Sequence, residues 1–185
     1  NKTRCPWVGE NPLYIKYHDK EWGVPVYNDN KIFEFLVLES AQAGLSWLTI
    51  LKKRQNYKKA FAGFDPIKVA KFNAKDFKRL MADAGIVRNK LKILAAINNA
   101  QKFLEVKKEF GAFSKYMWSF VGGKVIKHKI NTLKDYPVKI EEAEVWAKDL
   151  KRRGFRFLGA TICYAHMQAV GMVNDHSVNC FKNKK

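Results

Sequence analysis

Glu39 stands on a helix face that its neighbours make apolar. The stretch FEFLVLESAQAGLSW, residues 33–47, reads as a helix, an Ala-Gly-Leu break and the start of a second helix. Ile32, Phe35, Leu36 and Ala43 recur at helical spacing beside Glu39, which sets the carboxylate where water is scarce. Such a group is costly unless it is paired, protonated or open to a pocket. Two readings follow. Glu39 is either a core-edge acid bonded to nearby backbone, or a pocket acid facing a ligand, with Trp47 further along as an aromatic wall.

A second set of residues has metal-binding character. Cys5 and His18 lie in the first part of the chain, and His176 and Cys180 lie near its end at a spacing that suits two ligands on one ion. Together they have the composition of a closed tetrahedral Zn2+ site. Taken singly, each pair also fits ordinary packing or surface roles. The joint reading draws support from the segment that carries the first two ligands, residues 1–27. That N-terminal segment carries Trp7, Tyr14, Tyr17, Trp22 and Tyr27 among Gly, Pro and charged residues, without a sustained helical or strand period. It needs an external tie to stay ordered, and a metal stapling the chain ends would provide one. It reads as a pocket wall. Cys163 reads as a buried small hydrophobe, while His128 and His166 have no evident partner.

The elements that must position these groups are helical. Asp29 is expected to cap a helix over about 30–43, and Ser46 another over about 47–61. Asp65-Pro66 starts a short helix, and Asn73 with Asp76 forms a capping box for one ended by Gly85. A long helix over about 88–109 turns Ile93, Ile97, Ala100 and Leu104 inward, and Ser114 opens a short one through Phe120. KVIKHKI is a possible extended run that cannot build a sheet alone. A helix over about 140–153 buries Ala143, Trp146, Ala147 and Leu150. It leads through the bend Gly154-Phe-Arg-Phe157-Leu-Gly159 to a last helix from Thr161 to Val170. The expected class is all-α, in a single domain spanning 1–185. The closing hairpin is either a plain packing unit or, through Gly154 and Gly159, a place where backbone N–H groups approach a DNA phosphate.

Composition narrows the partners. Lys and Arg number 35 against 17 acidic residues, for a formal charge of +18, which favours a polyanion. No apolar run reaches membrane-spanning length and the N-terminus lacks a signal-peptide pattern, so no membrane partner is expected. The chain opens on Asn, so a residue or two is expected to be missing there or replaced. Three cysteines make no disulfide framework and fit a reducing cytoplasm.

RCPWV, NPLYIKYHDKEWGVP, LESAQAGLSW, ILKKRQNY, DAGIVRNKLKI and RGFRFLGATICYAHMQAVGMVNDH together resemble the DNA-3-methyladenine glycosylase I family, of the helix–hairpin–helix DNA-repair superfamily. The likeness covers nearly the whole chain. It implies a helix–hairpin–helix DNA glycosylase fold, a structural zinc joining the terminal segments and hydrolytic release of 3-methyladenine from alkylated double-stranded DNA. Cys5, His18, His176 and Cys180 fall on its ligand positions. Tyr17, Glu39 and Trp47 fall on its base-pocket positions, with Trp7, Tyr14 and Trp22 nearby. Glu39 is the candidate catalytic residue, by selecting a cationic base or by helping to break its bond. Gly44 and Leu45 are the candidate wedge in the gap left by an extruded base, or else a simple interhelix turn; Gly154, Phe157 and Gly159 are the candidate DNA-contacting bend. The last helix opens Gly159-Ala-Thr-Ile-Cys, with no lysine for a Schiff base, so a monofunctional, monomeric enzyme is expected. Asp175 stands near where related glycosylases keep a catalytic aspartate and takes no assigned role. Two departures are visible: Asn11 replaces the usual acidic residue before Pro12, and the tail after Cys180 is short and lysine-rich.

Overall fold

The computed structural model describes residues 2–183, which leaves the last two lysines of the basic tail outside the described residues. Helices dominate. They are α1 (Pro12–Lys20), α2 (Asp29–Gln42), α3 (Trp47–Ala60), α4 (Pro66–Val69), α5 (Ala74–Ala82), α6 (Lys90–Phe110), α7 (Phe113–Ser119), α8 (Glu141–Arg152) and α9 (Ala160–Ala169). A two-residue parallel ladder joins β1 (Ile126–Lys127) to β2 (Val173–Asn174), so the extended run finds a strand partner that the all-α expectation did not include.

Helix α2 is the centre. Its buried residues include Ile32, Phe33, Leu36, Val37, Leu38 and Glu39, which occupy every side of the helix rather than one face. Helices α3, α6, α7 and α9 pack around it. A helix buried all round is stabilised by packing more than by propensity. Its cap is Asn28, whose side chain accepts from Lys31 N, and not Asp29. Asp29 instead accepts from Phe113 N and Ser114 N at 3.2 and 3.0 Å, so the carboxylate expected to cap α2 satisfies the first turn of α7. Accordingly α7 opens at Phe113 rather than at Ser114.

The N-terminal segment corrects a second expectation. It holds a regular helix, α1, capped by Asn11, whose side chain accepts from Leu13 N at 2.9 Å, with Pro12 at the first position. An asparagine supplies this acceptor as well as an acid would, so the departure at position 11 leaves the cap intact. Ser46 caps α3, and Asn73 with Asp76 forms the capping box of α5, both as expected. Helix α5 ends at Ala82, short of Gly85. In α6, Phe103 and Val106 are buried in place of Leu104, which is partly exposed.

One buried group works against stability. His166 of α9 is fully buried, and neither ring nitrogen has a hydrogen-bond partner among the described residues. Burial depresses its pKa from 6.5 to about 3, against a small favourable influence from the Phe35 backbone. Between those values the unfolded chain binds a proton that the folded chain cannot, so stability falls as pH drops from 6.5 towards 3. His166→Phe should flatten this acid limb and stabilise the protein by about 1–2 kcal/mol at neutral pH, by removing two unsatisfied groups. Urea unfolding from pH 4 to pH 8 checks this, and an unchanged acid limb would contradict it.

Candidate functional site

Helices α1, α2, α3 and α9 converge on a cavity of about 390 Å³. Tyr17 comes from α1, Glu39 from α2 and Trp47 from the first turn of α3, and Trp7, Tyr14 and Trp22 complete the aromatic side. The Tyr17 and Trp47 ring centroids lie 5.5 Å apart at 54°, and Trp7 meets Trp22 edge-on at 4.9 Å. All six residues proposed from sequence for the base pocket therefore line one cavity.

Glu39 is 3% exposed, and its Oε2 has no hydrogen-bond partner among the described residues. The indole Nε1 of Trp47 is also buried and unpartnered. The core-edge reading, in which backbone satisfies the acid, thus fails for that oxygen. Burial pushes the carboxyl pKa from 4.5 up to about 8. A carboxyl raised that far favours its protonated form at neutral pH, one of the three ways in which a buried acid is tolerated. A cation entering the cavity would draw the proton off and find a negative charge in a setting of low dielectric.

The aromatic wall is braced from behind. Arg54 of α3 holds both oxygens of Glu21, at 2.8 and 2.7 Å, and one oxygen of Glu34 at 2.7 Å, which ties the end of α1 to α2 and α3. Arg4 grips Asp19 through two bonds of 2.9 and 2.8 Å and holds its carboxyl pKa down near about 2. Asp19 in turn lies 2.9 Å from His18 Nδ1, which orients the opposite nitrogen towards Cys180 Sγ at 3.4 Å.

Ligand atoms of Cys5, His18 and Cys180 all lie within 4.8 Å of one another and are buried. Three of the four expected metal ligands are therefore brought together. The fourth, His176, stands beside them: its ring centroid is 5.1 Å from that of His18. Its Nδ1 is taken by Asn174 Oδ1 at 2.8 Å, and its Nε2 is buried without a partner. Two thiols and two imidazoles, one of them with an orphaned ring nitrogen, have the composition of a four-coordinate metal site. Trp22 stacks at 22° on His18 and meets His176 edge-on at 4.7 Å, so one side chain belongs to both the cavity wall and the metal-type cluster.

The turn between α2 and α3 leaves Leu45 40% exposed, after Gly44 at φ +80°. Lys92 of α6 donates to the carbonyls of Ala41 and Ala43 at 2.9 and 2.6 Å and so anchors this turn from the protein side.

The α8–α9 hairpin divides its two glycines between different tasks. Gly154, at φ +91°, ends α8: its N–H donates to Lys151 O and that of Phe155 to Leu150 O, both at 3.0 Å. This is the Schellman pattern, in which a residue other than glycine would be strained. Gly159 has no neighbour within 4 Å of where a side chain would begin, and it precedes a helix start with no side-chain cap. The N–H groups of that first turn, with no side-chain cap among the described residues, are the ones suited to an anion. Phe157 is 40% exposed at φ +56°. Asn99 of α6 holds the bend from beneath. Its Oδ1 accepts from Arg156 N and its Nδ2 donates to Arg156 O, both at 2.8 Å, and Asn98 donates to Gly154 O at 2.8 Å. Asn99→Leu should cost about 2–3 kcal/mol by orphaning both Arg156 groups. It should also weaken duplex binding more than base-pocket binding, as DNA titration set beside chemical unfolding would reveal.

Sequence reasoning missed one side of the cavity. Leu133, within the Thr132–Asp135 capping box, and Tyr136 and Pro137, in the loop after it, close this side, and Gln168 and Ala165 line it from α9. Gln168 carried a signal, as a polar residue on a largely apolar helix. The irregular loop carried none. Asp175 is fully buried and accepts from Tyr164, from Gln168 Nε2 at 2.7 Å and, at its other oxygen, from His128 Nδ1 at 2.7 Å. That contact supplies the partner His128 lacked in sequence. Cys163 is buried with its thiol pKa pushed to about 12, as expected of a core residue. No helix among the described residues is long and apolar enough to cross a membrane.

Known proteins resemble the chain over nearly its whole length. Residues 7–183 match the family model of methyladenine glycosylase. The chain is 49% identical over 177 residues to DNA-3-methyladenine glycosylase 1 of Escherichia coli (strain K12), covering 96% of this chain and 95% of that protein. It is 48% identical over 178 residues to DNA-3-methyladenine glycosylase of Haemophilus influenzae, covering 96% of each. Among solved structures, a 3-methyladenine DNA glycosylase I superposes with a TM-score of 0.94 at 47% identity, over 97% of this chain and 98% of that one. The Staphylococcus aureus structure that describes 3-methyladenine recognition superposes with a TM-score of 0.95 at 40% identity, over 98% and 97%. The chain belongs to the methyladenine glycosylase family and is an enzyme of the DNA glycosylase class, an N-glycosyl hydrolase.

Proposed function

We propose that this chain is a monofunctional glycosylase that releases 3-methyladenine from alkylated duplex DNA, acting in the cytoplasm as a single-domain monomer. The observation that carries the reading is a buried, unpartnered carboxyl group, Glu39, inside an aromatic cavity. Methylation at N3 makes adenine cationic. Tyr17 and Trp47 supply ring faces that attract such a cation, and Glu39 supplies the matching charge once the base is seated. Normal adenine lacks the charge and gains neither.

The alkylated base is already a good leaving group. The bond from C1′ to N9 breaks with its electron pair going to N9, which neutralises the base. A water oxygen then bonds to C1′ and releases a proton. The protein's work is to extrude the nucleotide, hold the base and keep out its normal counterpart. Leu45 is the wedge in this reading, held by the Lys92 anchor, and the free N–H groups after Gly159 take a backbone phosphate, with Gly154 and Phe157 shaping the bend. The absence of a lysine at the start of α9 supports hydrolysis without a lyase step.

Cys5, His18, His176 and Cys180 would hold one structural zinc ion. Its chemistry there is that of a tie between chain ends, and it stands outside the reaction.

Chromatography of bases released from methylated DNA tests the proposal. Free 3-methyladenine is expected in the digest, and its absence would overturn the reading. Borohydride trapping of a covalent adduct would overturn the monofunctional part alone.

A further inference from the structure

Gln168 shares the cavity with Glu39 but is held quite differently. Its amide nitrogen donates to Asp175 Oδ2 at 2.7 Å. Asp175 is fully buried; the Tyr164 hydroxyl donates to the same oxygen, and His128 Nδ1 lies 2.7 Å from the other. A carboxylate offers only acceptors, so the Gln168 amide cannot turn over without setting its own oxygen against Asp175. The amide is locked with nitrogen towards Asp175. Its Oε1 accepts no hydrogen bond from a described residue and is the free end of a side chain that lines the cavity.

We infer that Gln168, fixed by Asp175, is a specificity-determining residue that accepts a hydrogen bond from the exocyclic amine of the bound base. The inference rests on the base-excision reading above. Glu39, whose Oε2 is buried without a partner among the described residues, is a second acceptor on the same cavity. Two acceptors match a 6-amino purine, whose amine carries two N–H groups. A 6-oxo purine brings an acceptor to the same place and leaves buried oxygens facing one another, a strong ground for rejection. Charge then selects alkylated over normal bases, and the Gln168 carbonyl selects adenine over guanine. Stacking on Tyr17 and Trp47 cannot make the second choice, because every base has a ring face. Asp175 is the positioning residue for this contact.

The test uses the full chain and its Gln168→Leu variant on DNA treated with a methylating agent, with released bases separated by chromatography. Wild type should release 3-methyladenine in strong preference to 3-methylguanine. In Gln168→Leu the 3-methyladenine rate should fall about 10-fold while the 3-methylguanine rate holds, which narrows the ratio. A ratio unchanged by the substitution overturns the inference. Should that variant fail to fold, Gln168→Met removes the same acceptor with a more adaptable side chain. Asp175→Asn can bond either end of the Gln168 amide, so it should narrow the ratio without lowering 3-methylguanine release; parallel loss of both activities would deny Asp175 its positioning role. A further arm needs no variant: wild type should bind free 3-methyladenine more tightly than 3-methylhypoxanthine, and equal affinity overturns the inference. If wild type releases no base at all, the base-excision reading has failed, whereas release with an unaltered ratio is a failure of the Gln168 assignment alone.

Discussion

Glu39→Gln will slow release of 3-methyladenine by about 10–100-fold, the worth of one hydrogen bond to a charged group, and will make the protein more stable at neutral pH. The two effects share a cause. In the folded chain the carboxyl titrates near about 8, and in the unfolded chain near 4.5. Below the lower value both states are protonated and the group is neutral towards stability. As pH rises through this window the unfolded chain ionises first, so the wild-type fold loses stability with increasing pH. At pH 7 the penalty is at most about 3 kcal/mol, and glutamine removes most of it. A gain of 1–3 kcal/mol corresponds to roughly 2–4 °C per kcal/mol for a chain of this size. Calorimetric melting from pH 5 to pH 9 should show wild type and variant converging at the acid end and diverging above it. A variant less stable than wild type at pH 8 would contradict the burial argument. Binding of the cationic lesion should also expel up to one proton at pH 7, seen as a dependence of binding heat on buffer ionisation, and the variant should show none.

Cys180→Ala will have the largest structural effect. The sulfur lies 3.4 Å from His18 Nε2 and within the cluster that includes Cys5. If the cluster holds the proposed zinc ion, its loss is expected to lower bound zinc from about one equivalent to a small fraction and to destabilise the fold by several kcal/mol, as removal of a structural ligand commonly does. The damage should appear first in the cavity. Trp22 leans on both His18 and His176, and Trp7 lies 5.5 Å from His18, so loosening the cluster loosens the aromatic wall. Limited proteolysis should cut the variant within the first 27 residues while the α2–α9 core stays protected. Stoichiometric zinc retained by Cys180→Ala would remove that residue from the ligand set.

Much of this site was legible before any coordinates. Glu39 is anomalous because a charge on an apolar helix demands a reason, and Trp47 lies eight residues further on, across the break. The Ser46 and Asn73 caps are local signals that need no tertiary context. Helix α1 carries a local signal of its own, since Asn11-Pro12 repeats the cap-then-proline pattern of Asp65-Pro66. Its aromatic residues follow a wall shared with other elements rather than a buried stripe of their own, so no period announced it. The exchange between Asn28 and Asp29 was beyond local reading, because both residues can cap and the choice depends on α7, more than 80 residues away. The His128–Asp175 contact depends likewise on the short ladder that brings β1 beside β2. Tyr136 closes the cavity from an irregular loop, where residue type and period carry no information about direction.

The burial of α2 on every side also divides the cavity by timescale. An amide in a helix with no solvent face exchanges its hydrogen only when the whole molecule opens, whereas short peripheral elements open locally and often. Glu39 therefore rides on the slowest part of the chain. Tyr17 and its aromatic neighbours ride on a nine-residue helix held by ion pairs and a metal-type cluster. On the proposed reading, the Glu39 carboxyl stays fixed while the rings around the cavity can yield, so a base could enter without disturbing the group proposed to select it.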